Sequence, residues 1–127
     1  MPVLVSHINF PTEIEANGVK IKLANLTESI CQGGPTVGDL EINGVSAFTK
    51  NKFGGPFFIH KGMLYISELC KSINKGTGFK LAVIDINKLE KKYLSPWEPL
   101  ILIYSVCNGR IEYFVDTENT YAKTENI

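Results

Sequence analysis

Apolar and polar side chains alternate with period two along much of this chain, and Asn-Gly steps interrupt the alternation. In segment 19–24, Val19, Ile21 and Leu23 fall on one side, and Lys20 and Lys22 on the other. In segment 110–116, Ile111, Tyr113 and Val115 alternate with Glu112, Phe114 and Asp116. Such alternation marks a strand with one buried face. Asn17-Gly18, Asn43-Gly44 and Asn108-Gly109 each stand between two such segments, and Lys61-Gly62 is a weaker fourth case. A two-residue type I′ turn needs positive φ at both central residues, which Asn and Gly tolerate best. The pattern therefore predicts hairpins that pair 13–16 with 19–24, 39–42 with 45–49, 56–60 with 63–67 and 100–107 with 110–116. Segment 79–86 is apolar almost throughout, which predicts a central strand covered on both faces. Helix is confined to short turns at 28–31, 67–73 and 87–94, the last capped by Asn87.

These elements imply a mainly β fold with minor α content. About eight or nine strands would form an antiparallel hairpin meander, folded as a twisted sheet, a sandwich or a partly open barrel. One domain is expected over residues 1–117. The segment 118–127 is polar and aperiodic, so a flexible tail is expected there.

Composition narrows the function. The 127 residues are 44% hydrophobic and 20% charged, which suits a packed core and not a disordered chain. Formal net charge is zero, which argues against a dedicated nucleic-acid binder. The charges are unevenly placed. Residues 1–49 hold two lysines against five acids, 50–92 nine lysines against three acids, and 93–127 two basic residues against five acids. The start of the chain has neither the basic nor the long apolar stretch of a secretory leader. The longest apolar run, 99–107, is far short of the ~20 residues of a membrane helix. A cytoplasmic protein that does not enter membranes is the expectation.

Candidate chemistry is sparse. No Cys-x-x-Cys or paired-histidine spacing occurs, so no metal and no cofactor is expected. Gly76-Thr77-Gly78 lacks the lysine and the length of a phosphate cradle. Cys31-Gln32-Gly33-Gly34 is read as a closely packed loop. An enzyme, a small hydrolase or ligand-binding barrel, would have to use His60 and Asp85. His60 precedes a turn, and Asp85 interrupts an apolar strand or caps its end. A single-stranded nucleic-acid binder would use the lysines of 50–92 with the aromatic residues between them, but arginine is nearly absent.

The strongest candidate for binding is the stretch 93–99, where two prolines flank the only tryptophan, Trp97. A stiff loop loses little entropy on docking, and Trp is a frequent interface anchor. Glu98, Glu112, Asp116 and Glu118 would add an acidic surface around Trp97, with Glu13 and Glu15 as second choices. The function expected by elimination is a non-enzymatic protein-binding domain. The best guess is a bacterial immunity- or antitoxin-type inhibitor that occludes a toxin domain, such as a basic nuclease.

Three cysteines at spacings that match no motif predict free thiols and no disulfide. Thiol titration of the unfolded, unreduced chain is expected to find all three of Cys31, Cys70 and Cys107. A single titratable thiol contradicts this.

Overall fold

The computed structural model describes residues 6–7, 10–28 and 34–127. The described residues form eleven strands and no helix. The first four are β1 (Glu13–Ala16), β2 (Val19–Glu28), β3 (Thr36–Ile42) and β4 (Val45–Ser46). The middle of the chain forms β5 (Phe53–His60), β6 (Met63–Ser72), β7 (Gly76–Asp85) and β8 (Glu90–Tyr93). The last three are β9 (Leu102–Cys107), β10 (Arg110–Phe114) and β11 (Ala122–Asn126).

Eight strands make one antiparallel sheet in the order β1-β2-β3-β5-β6-β7-β8, with β4 paired to β3. The remaining three form a second sheet in the order β11-β10-β9, and neither sheet closes into a barrel. The hairpin turns are those the sequence predicts. Asn17, Asn43, Lys61 and Asn108 have φ between 51° and 52°, and the glycine after each has φ between 74° and 80°.

Strands β6 and β7 divide the interior in two. On one face Leu64, Ile66, Ala82 and Ile84 join Ile21, Leu23, Leu40, Ile42, Phe53 and Phe57 in a buried cluster. Every one of these side chains comes from the large sheet. A sheet that buries a face against itself must curl, and the register shifts between Ala24 and Thr27 and between Gly54 and Phe58 supply bends for this. On the opposite face Tyr65, Phe79, Leu81 and Val83 pack against Leu100, Ile101, Leu102, Ile103, Ile111 and Tyr113, most of them from the small sheet.

Two short elements differ from expectation. Segment 67–73 is no helical turn. It continues β6, paired to β7 as far as Ser72 opposite Gly76. Ladder hydrogen bonds to a ready partner strand outweigh a weak local helical preference. Segment 87–94 forms no helix beyond a single turn at its start, closed by the Leu89 N–H on the Asp85 carbonyl at 2.7 Å, and then runs as β8. The Asp85 carboxylate accepts the N–H groups of Asn87 (3.0 Å) and Lys88 (3.1 Å), and Leu89, with φ of 54°, reverses the chain into β8. The expected turn at 28–31 lies mostly outside the described residues.

The segment expected to be a flexible tail also differs, because 122–126 form β11, paired along its length with β10. Its polar sequence has no strand signature because neither of its faces is buried. Asp116 holds the turn that leads into it, its carboxylate accepting the N–H groups of Thr120 (3.0 Å) and Tyr121 (2.9 Å). These bonds, that of Tyr121 foremost, hold the Asp116 carboxyl below its ordinary pKa. A lowered folded pKa stabilises the turn above the ordinary carboxylate range, and this is lost as pH falls through the folded pKa. Asp116→Ala is expected to speed amide hydrogen exchange across 122–126 while exchange in β6 and β7 stays slow. Unchanged protection of β11 would show that the cap is dispensable.

Candidate functional site

The loop that carries Trp97 is fastened to the sheet. Beyond the end of β8, residues 94–98 continue along the edge of β7. The Leu94 N–H donates to the Leu81 carbonyl (2.8 Å), and the Leu81 N–H donates to Ser95 Oγ (2.9 Å). Phe79 and Glu98 exchange both backbone hydrogen bonds at 2.8 Å. The indole Nε1 of Trp97 donates to the Gly76 carbonyl at 3.2 Å. Gly78 makes room for the ring, since a Cβ there would lie 2.4 Å from Trp97 Cε2. Trp97 is therefore half-buried and rigid, with one side of its ring on β7 and the rest open.

One lysine lies over this ring and another over that of Tyr93. Lys75 Nζ lies 5.6 Å from the Trp97 ring centre, and Lys80 Nζ lies 5.0 Å from that of Tyr93. Gly78 and Lys80 share one face of β7, so Trp97 and Tyr93 sit side by side on that face. Ile73, at the tip of the β6–β7 hairpin whose Lys75 and Gly76 contact Trp97, is fully exposed. The result is a surface of two aromatic rings, an exposed aliphatic tip and lysines.

The predicted acids do not gather around Trp97. Glu98 points to the opposite side of its segment, buried, and ion-pairs with Lys123 at 2.7 Å. Glu112 lies on the outer face of β10 and accepts the Tyr104 hydroxyl at 3.2 Å. Asp116 is spent on its turn, and Glu118 is exposed in the same turn. Glu13 and Glu15 lie on the edge strand β1, where Glu13 reaches Lys20 at 3.7 Å. Spacing along the chain placed Glu112 and Asp116 on one strand face, but β10 ends at Phe114.

His60 and Asp85 fall in one cross-strand row, with Met63 between them. Two strand spacings, about 10 Å, separate such positions, too far for a hydrogen-bonded dyad. Below this row lies a cleft of about 380 Å³ with Met63, Tyr65, Val83 and Leu94 among its lining. Cys70 is half-buried and its thiol is pushed up by burial, which keeps it protonated and inert. Among the described residues Cys70 and Cys107 are free, whereas Cys31 lies outside them.

The sequence reading missed a buried charge cluster. Glu68, on β6, is only 2% exposed and accepts three donors. Lys91 Nζ meets Oε1, while Asn51 Nδ2 (3.4 Å) and the Tyr93 hydroxyl meet Oε2. The Lys91 ammonium lies 5.1, 5.6 and 5.3 Å from the ring centres of Phe48, Phe53 and Tyr93. Burial, then the bond to Glu68, pushes the Tyr93 hydroxyl well above its ordinary pKa, so it stays a donor. The one available signal was Glu68 itself, a carboxylate at an inward position of an apolar strand.

Comparison of the chain with family models, curated proteins and solved structures gives no match.

Trp97 is the only tryptophan, so its fluorescence reports this surface alone. Gly78→Ala is expected to displace the ring from β7 and shift its emission to the red. An unshifted spectrum would mean that the ring does not rest on Gly78.

Proposed function

We propose that this chain is a non-enzymatic binding domain that acts by covering a partner protein, in the manner of an immunity- or antitoxin-type inhibitor. The docking surface in this reading is the Trp97–Tyr93 face. The observation that carries it is the rigid mounting of Trp97. Its ring is held by a hydrogen bond to Gly76 and by contact with Gly78, yet stays partly open to solvent. An aromatic side chain already ordered before docking loses little entropy on binding. Lys75 and Lys80 make the surroundings basic, so the complementary partner surface is acidic. This replaces a basic nuclease as the preferred partner, because the carboxylates of Glu98, Glu112 and Asp116 serve bonds within the chain.

A second reading uses the same face. Aromatic rings interleaved with lysines also suit single-stranded nucleic acid, whose bases stack while its phosphates meet the ammonium groups.

The experiment begins with capture of partners on immobilised wild-type protein and on Trp97→Ala, followed by binding kinetics with the captured partner. Trp97→Ala is expected to raise the dissociation rate at least tenfold, as for a residue worth ~2 kcal/mol or more at an interface. Lys75→Glu with Lys80→Glu is expected to slow association chiefly at low salt. A partner held equally well by Trp97→Ala overturns the surface, and a partner enzyme that stays fully active in the complex overturns the inhibitor reading. Quenching of Trp97 by a thymidine oligonucleotide, in the absence of any protein partner, would favour the second reading.

A further inference from the structure

The cluster around Glu68 contains an amine, a carboxamide and a carboxylate in a mostly apolar enclosure, and Phe48, Phe53 and Tyr93 form its walls. The Lys91 side chain is 13% exposed and that of Glu68 3%. Lys91 and Asn51 contact the two oxygens of the same carboxylate. The Asn51 N–H donates to the Phe48 carbonyl at 2.9 Å, and the Leu69 N–H donates to the Lys52 carbonyl at 2.9 Å, so the segment bearing Asn51 is held against β6.

We propose that Lys91 and Asn51 become joined by an intramolecular amide bond, formed by the folded chain itself, with Glu68 carrying the proton. The Glu68 carboxylate in direct contact with the Lys91 ammonium is its nearest base. Transfer of one proton from Lys91 Nζ to Glu68 leaves a neutral amine and a neutral acid. The amine lone pair attacks Cγ of Asn51, and a C–N bond forms to give a tetrahedral centre. Glu68 returns a proton to the departing Asn51 nitrogen as the old C–N bond breaks. Giving up that proton makes Glu68 a carboxylate again, the leaving ammonia takes up the surplus proton of the new amide nitrogen as ammonium, and no oxidant, metal or cofactor enters the balance. Holding amine and carboxamide on the two oxygens of one carboxylate keeps them near each other, and such proximity is what makes the step accessible without an enzyme.

The bond would cross β6 and β7 on one face of the large sheet. Lys91 lies on the edge strand β8, and Asn51 lies in the connection between β4 and β5, bonded to β6. A covalent link there would tie the edge strand to the middle of the sheet and close a loop of roughly forty residues, which restricts the unfolded chain.

The test is the intact mass of the purified full-length protein under denaturing, reducing conditions, followed by peptide mapping. The expected mass is lower than the sequence mass by one ammonia, about 17 Da, with a branched peptide joining Asn51 to Lys91. Mapping is needed because succinimide formation at the Asn-Gly steps also releases ammonia. Full sequence mass in folded protein, or ammonia loss that maps only to Asn17, Asn43 or Asn108, overturns the proposal. Loss of water with a link from Lys91 to Glu68 removes Asn51 from its role and overturns it equally. Asn51→Ala and Glu68→Gln, shown by circular dichroism to keep their strand content, are both expected to run at full mass. A Glu68→Gln protein that still links overturns the proton relay. The wild-type mass decides the bond even if a variant does not fold.

Discussion

Strands β6 and β7 have no face left for solvent over most of their length, and the other elements are arranged around that fact. Leu64, Ile66, Ala82 and Ile84 look one way, and Tyr65, Leu81 and Val83 the other, all of them buried. A hairpin that is apolar on both sides must be covered twice. The large sheet covers one side by curling over it, and the small sheet β9–β11 covers the other. Removing a buried side chain from such a septum costs about 2–5 kcal/mol, a large part of the stability of an ordinary domain. Neither cover could pack without the hairpin, since each cluster takes its central side chains from it.

The same arrangement leaves β7 with an edge to protect. Strand β8 pairs only with the far half of β7, from Ala82 to Asp85. The near half would expose unpaired backbone groups that invite another strand. Residues 94–98 take up that role through Leu94, Ser95 and Glu98. Trp97 is mounted as a consequence of this pairing. A loop recruited to close a sheet edge thus also presents the most conspicuous side chain on the surface. Ion pairing of Glu98 with Lys123 ties the same loop to β11, so the C-terminal strand and the Trp97 loop stabilise each other.

Glu68 is the costliest residue in the interior. A carboxylate at 2% exposure is tolerated only when its charge and lone pairs are met, and here an ammonium, a carboxamide and a phenol meet them. Its partners come from β8, two strands to one side of β6, and from the segment before β5, which is bonded to β6 on the other side. The cluster therefore joins segments that flank β6 on both sides.

The local pattern of residues determined the hairpins. Asn-Gly steps with alternating flanks specify both the turn and the strands beside it, because backbone φ and side-chain period are local properties. Asp85 as a cap at the end of its strand was legible for the same reason. Strand order, the curl and the split into two sheets were decided by tertiary packing. They depend on which apolar faces meet, and period two says only that a face is buried. β11 and the extension of β6 to Ser72 were invisible because their pairing comes from a partner strand and not from their own sequence. Which acids are free to form a surface is likewise set by tertiary contacts. Charge counts along a chain do not say which carboxylates will be consumed by Lys123, by Tyr104 or by a turn. The meeting of Lys91, Asn51 and Glu68 belongs wholly to the tertiary structure, because only the pairing of β5 with β6 and of β6 through β7 with β8 brings residues so distant in sequence onto one carboxylate.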